Sequence, residues 1–240
     1  MKCLPASLIM ISASITFLAC GGGGGGNSTP AGSTQSTAGI WTGTSTNGSN
    51  SLTFIGLCDS QGNFRSSSSD NSVDVGQLTV TGATFAGTGE IYNPAAVSSI
   101  TFSNGIITTG TSISGQWSGG GESGALSATF NQLYNRPVTL ASLAGSYVGV
   151  FTDGTSGSLT LQADGTYTSN PVGSFSGSVT LPDTSRNLFS VTYTNLGSNE
   201  TLSGLGFWAD SQVTSPLTAN TFFVQVTNAS YGVAAVLVKQ

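Results

Sequence analysis

The chain has 240 residues, with ten Asp+Glu against five Lys+Arg, a net charge of −5 and no histidine. Charged residues make up 6%, against roughly 25% in an average soluble domain. The absence of any basic stripe excludes nucleic acid as a partner, and the absence of histidine excludes Ser-His-Asp and Cys-His nucleophiles and His-based metal sites. Hydrophobic residues still reach 38%, enough for a real core. Gly and Pro, at 34 and 7 residues, stay under the roughly 25–30% typical of low-complexity chains.

Met1-Lys2 gives a short positive start, and Leu8–Leu18 is apolar except for Ser12, Ser14 and Thr16. This is the n-region and h-region of an export signal, too short for a mature membrane span. Leu18-Ala19-Cys20 then resembles the lipobox of bacterial lipoproteins, in which a peptidase cuts before the cysteine and its thiol takes a diacylglycerol. Phe17 stands where Leu, Val or Ile is usual. The alternative is an ordinary secretory signal in which Cys20 has no role. The predicted division is signal peptide 1–19, lipidated Cys20 and tether 20–38, β unit one 39–135, and β unit two 136–240.

Gly21–Ser36 (GGGGGGNSTPAGSTQS) holds no large apolar residue and cannot offset its ordering entropy, so it reads as a flexible tether. As a phosphate cradle it lacks the Lys-Ser/Thr ending that such a loop needs. With Cys3 lost in the leader and Cys20 lipidated, Cys58 is the last cysteine. No intrachain disulfide forms, and its place at the end of an apolar strand predicts a buried thiol.

From Gly39 the pattern is strands and turns. Alternation is clear in Leu52-Thr53-Phe54 and Phe189–Tyr193, while Asn47-Gly48, Asn104-Gly105, Asp153-Gly154 and Asp164-Gly165 read as turn pairs. No stretch of ten residues shows a helical apolar period with caps. The predicted fold is all-β and antiparallel: two tandem up-and-down meanders, each an 8-stranded barrel-like unit, with one shared β-sandwich as the alternative. An internal repeat supports two units. Gly39–Gly43 aligns with Gly145–Gly149, Ser51–Phe54 with Ser158–Leu161, and Gly62-Asn63-Phe64 with Gly165-Thr166-Tyr167. Further on, Phe85–Thr88 aligns with Phe175–Ser178 and Ser114-Gly115 with Ser203-Gly204. The shorter spacing of these last matches implies an insertion in the first unit at Ser66–Ser72. Tyr134–Leu143 reads as the join, with Pro137 discouraging a ladder there.

Leu18-Ala19-Cys20, the joint Leu140–Tyr147 and Asp164-Gly165-Thr166-Tyr167 together resemble secreted Gram-negative lipoproteins that carry a Gly-rich tether and small lipocalin-like β units. The resemblance implies outer-membrane anchoring through Cys20, because Gly21 rather than Asp follows it. It implies no particular activity.

Candidate chemistry is sparse. Glu90, Glu122 and Glu200, or Asp153 with Asp164, are the carboxylates available to a glycosidase-type pair, but they sit beside glycine or in turns, where acids are ordinary. No Asp-x-Asp calcium spacing occurs. Trp41 and Tyr147 fall at matching repeat positions and read as core plugs. Trp117 and Trp208, near Ser-Gly strands, are the candidates to face a ligand, with core packing as the plainer reading. The sequence therefore points to a lipid-anchored envelope protein, non-catalytic and without cofactor or metal. It would bind a small or apolar ligand inside a barrel. The alternative is a surface interaction protein, an adhesin or inhibitor, using Ser/Thr/Asn-rich loops.

Overall fold

The computed structural model describes residues 35–93, 96–152, 154–170, 173–210 and 220–240. The leader, Cys20, most of the tether and Asp153 lie outside the described residues. Two antiparallel barrels follow one another in the chain. The first is built from β1 (Gly39–Asn47), β2 (Asn50–Cys58), β3 (Asn63–Ser68), β4 (Val73–Thr81), β5 (Thr84–Asn93), β6 (Ala96–Thr108), β7 (Ser112–Gly119) and β8 (Glu122–Phe130). Each strand pairs with the next, and β1 pairs with β8 to close the ring. The second uses β9 (Gly145–Phe151), β10 (Ser156–Leu161), β11 (Thr166–Ser169), β12 (Phe175–Thr180), β13 (Phe189–Asn195), β14 (Thr201–Ala209), β15 (Thr221–Thr227) and β16 (Gly232–Lys239), closed by β16 on β9. Closure leaves no unpaired edge, and the two rings rule out one shared sandwich. A 3-10 turn over Gln132–Asn135 and one helical turn, α1 (Leu140–Leu143), make the join, the latter opened by a Thr139–Ser142 capping box. Among the described residues no helix is long and apolar enough to cross a membrane.

The repeat is visible in the hydrogen bonds. Trp41 Nε1 donates to the Thr37 carbonyl (2.8 Å), and the Tyr147 hydroxyl donates to the Leu143 carbonyl, four residues back in each case. Both rings are fully buried plugs at the foot of their barrels. The β2–β3 turn at Asp59–Asn63 and the β10–β11 turn at Gln162–Thr166 share one bonding pattern. The Gly62 and Gly165 amides return to Asp59 and Gln162, and the same glycines' carbonyls accept from Leu78 and Val179, both at 2.8 Å.

Three sequence expectations change. Asn104-Gly105 is not a hairpin turn. Asn104 takes a positive φ of 50° inside β6, where the register against β7 shifts between Ser103 and Ile106. Asn tolerates the left-handed region, and the resulting bulge bends a long strand round the barrel instead of reversing it. Next, Ser51–Phe54 is displaced along the strand from Ser158–Leu161: the cross-strand partners of the two plugs, Gly56 and Leu159, are the equivalent positions. Finally, Phe85 lies on the fifth strand of its barrel and Phe175 on the fourth of the other, while Ser114 lies on the seventh and Ser203 on the sixth. The true counterpart of Phe175 is Asp74, because Gly76 faces Phe64 as Gly177 faces Tyr167. Glycine recurs on the inner face of many strands, so short Phe-x-Gly matches do not identify a strand. Ser66–Ser68 accordingly belongs to β3 and is no inserted loop.

The outer faces of the two barrels meet. Ile40 and Leu57 of the first pack with Leu205, Phe207 and Phe223 of the second, joined by Leu133 and Leu188. Val73 and Tyr92 pack on Ala234. Gln225, fully buried, donates from Nε2 to the Ile55 carbonyl (3.0 Å) and to Ser67 Oγ (3.1 Å). This explains why β15 is buried on both faces: one lines a barrel and the other lines the interface.

Candidate functional site

The two interiors differ. The second barrel is filled toward its foot: Phe175 stacks on Tyr193, Phe189 stacks on Phe222, and the deep void that remains there is ≈ 30 Å³. A separate hollow of ≈ 350 Å³ occupies its other end, between Phe151, Ser158, Asn170, Leu202 and Tyr231, and no carboxylate or cation lines it. The first barrel encloses ≈ 360 Å³, within the range of small-molecule sites. Equivalent positions explain the contrast. Where the second barrel has Leu159, Leu161 and Phe175, the first has Gly56, Cys58 and Asp74.

The cavity is graded along the barrel axis. Strand directions put Trp41, Cys58, Phe64, Leu78, Phe85, Phe102 and Ile113 toward the foot. Phe64 and Phe102 meet edge to face at 5.0 Å, as do Trp41 and Phe130 at 5.4 Å. Toward the opposite end stand Ser66, Ser68, Asp70, Ser72, Asp74, Ser98 and Glu122. Asp70, Asn93 and Glu122 are exposed and form the rim. The serine-rich stretch noted in the sequence is therefore cavity wall and mouth.

Asp74 is the main polar group inside. Its Oδ2 accepts from Ser66 Oγ at 2.6 Å on the facing strand. Burial, opposed in part by that hydrogen bond and reinforced by the Asp70 charge, pushes its carboxyl up to about 6. Cys58, at the foot, donates from Sγ to Thr37 Oγ1 (3.2 Å), and burial pushes its thiol up to about 12. A thiol held so far from ionisation is neither nucleophile nor ready metal ligand. It is the buried, unpaired cysteine expected from the sequence.

The two candidate tryptophans part company. Trp117 lines the cavity, half-buried on β7 opposite Gly124, and its indole N–H is buried without a hydrogen-bond partner. Trp208 sits in the second barrel, edge-on to Tyr147 at 6.1 Å and under Lys239 Nζ at 5.7 Å, and lines neither large hollow. The candidate carboxylates are not brought together. Glu90 accepts from the Tyr92 hydroxyl outside the first barrel, Glu122 is at its rim, and Glu200 accepts from Ser198 in the β13–β14 loop of the second. Asp164 caps the Thr166 amide in a turn, and those bonds hold its carboxyl below the usual range. Among the described residues no group of three His, Cys, Asp or Glu side chains is placed to hold a metal. No protein-family model, curated protein or solved structure matches the chain.

Proposed function

We propose that this protein is a lipid-anchored component of a Gram-negative cell envelope that holds a small, largely apolar ligand in its first barrel without transforming it. Lipid on Cys20 ties it to the outer membrane, and the Gly-rich tether lets the barrels stand clear of the headgroups. The observation that carries the reading is the first barrel's cavity, which runs from a polar rim to an apolar foot where the second barrel, of the same topology, is filled. An eight-stranded barrel has room either for its own side chains or for one small ligand. Here the glycine at position 56 leaves open the space that Leu159 fills in the other ring.

The test uses the full-length chain carrying Cys20→Ala, so that no attached lipid competes, and the uncharged fluorophore N-phenyl-1-naphthylamine, which brightens in apolar sites. A Cβ at Gly56 meets only the Phe54 ring and the Trp41 Cβ, at 3.5 and 3.6 Å, so Gly56→Leu projects into the cavity without striking backbone. Saturable fluorophore binding is expected, at least about tenfold weaker in Gly56→Leu with the thermal midpoint retained. Equal binding by a folded Gly56→Leu protein, or none by the parent, would overturn the reading.

A further inference from the structure

We infer that the cavity selects amphiphiles with a cationic amine head, the apolar part lying against Phe64 and Phe102 and the amine beside Asp74. This rests on the ligand-binding reading above and names the ligand's chemistry. Three carboxylates, Asp70, Asp74 and Glu122, stand in the polar half of the cavity. Among the described residues no cation pairs with them, and the one cationic residue in the cavity wall is Arg65. Arg65, on the strand next to Asp74, sends its guanidinium outward to the Ser203 carbonyl of the second barrel (2.9 Å). Arg136 and Arg186 pair with Asp210 and Asp183, and Lys239 lies over Trp208. The partner of Asp74 is the Ser66 hydroxyl and its charged neighbour is another carboxylate.

A carboxylate withdrawn from water without a counter-ion is costly, and an opposite charge brought to it recovers part of that cost. A ligand ammonium supplies the missing cation and donates to the carboxylate, whereas a fatty-acid carboxylate would add a fourth like charge. Trp117 also lines the cavity, with its indole N–H packed over Gly124, and an indole ring face favours a cation.

The experiment displaces N-phenyl-1-naphthylamine from the Cys20→Ala chain at pH 7.5 with dodecylamine, dodecanol and dodecanoate, all below micellar concentration. Dodecylamine is expected to displace at about tenfold lower concentration than dodecanoate, with dodecanol between them. Asp74→Asn is expected to shrink the amine-to-alkanol ratio several-fold, and Glu122→Gln at the exposed rim gives a second reading should Asp74→Asn fold poorly. Equal displacement by all three, preference for dodecanoate, or an amine preference untouched by both substitutions overturns the inference. In each of those outcomes the fluorophore still binds and ligand binding itself stands. A parent protein that never binds the fluorophore defeats both readings.

Discussion

Asp74 occupies a position that the sister barrel gives to Phe175, and it stabilises the empty protein less than a neutral side chain would. Its pKa in the folded protein, about 6, lies above the ordinary 3.8. Between those values the folded state holds the proton that the unfolded chain has released. The contribution of Asp74 to stability is therefore greatest below about pH 4, falls as pH rises toward 6, and is level above it. The groups facing it leave that direction unopposed: Asp70 is a like charge, Ser66 is neutral, and Arg65 points to the other side of the sheet. Asn keeps an acceptor for Ser66 while removing the charge. Asp74→Asn should thus raise unfolding stability at pH 7.5 by about 1–2 kcal/mol, allowing for water reaching the cavity, and change it little at pH 4. Urea melts at both values measure this, with Asp70 and Glu122 common to both proteins. A variant less stable at pH 7.5 than at pH 4, relative to the parent, would reverse the sign and discredit the assignment.

The β2–β3 turn shows how an element fixes its own sequence. Gly62 has φ +85°, and a Cβ there would lie 2.2 Å from the Leu78 carbonyl oxygen. That oxygen belongs to a ladder strand and cannot retreat. Gly48, in the β1–β2 turn, also has positive φ, at +56°, but nothing lies within 4 Å of its Cβ position. Gly48→Ala should therefore cost about 1 kcal/mol for backbone conformation alone. Gly62→Ala should add a steric cost of about 1–3 kcal/mol. Equal losses in urea midpoint would mean that the turn relaxes freely. Such turns, with the alternation between them, make two eight-stranded units legible from the sequence, and the matching of Gly62-Asn63-Phe64 with Gly165-Thr166-Tyr167 is readable for the same reason. Repeat register outside these turns was less legible, since inner-face glycines align with one another in many ways. The site was harder still. In Val73-Asp74-Val75-Gly76-Gln77-Leu78 both faces carry apolar residues, so alternation alone does not say which side is inside. Val73 is buried against the other barrel, while Leu78, on the same face as Asp74, packs in the first barrel's core. Trp117 is identifiable as a cavity-facing candidate, whereas Trp208 carries the same local signal but packs on Tyr147.

At the scale of the whole molecule, the second barrel packs against the wall of the first that carries its polar groups. Ser66 and Asp74 face the cavity from β3 and β4, while their chain neighbours Arg65, Ser67 and Val73 face outward and are held by Ser203, Gln225 and Ala234 of the second barrel. A cavity lined by serine and an unpaired carboxylate has weak internal cohesion, because its polar groups gain little from burial. The outer contacts offset that deficit on the same two strands. Gln225 is the most direct link, with its amide bonded to both the Ile55 carbonyl and Ser67. Gln225→Ala removes these bonds and leaves a void in the interface, at a cost of about 2–3 kcal/mol. If the barrels support each other, amides of β2 and β3 should lose protection in hydrogen exchange by about tenfold or more, although the substitution lies in the other ring. Loss confined to β14, β15 and β16 would show two barrels that merely touch. Loss that crosses to β3 would make the second barrel a structural part of the first barrel's cavity wall.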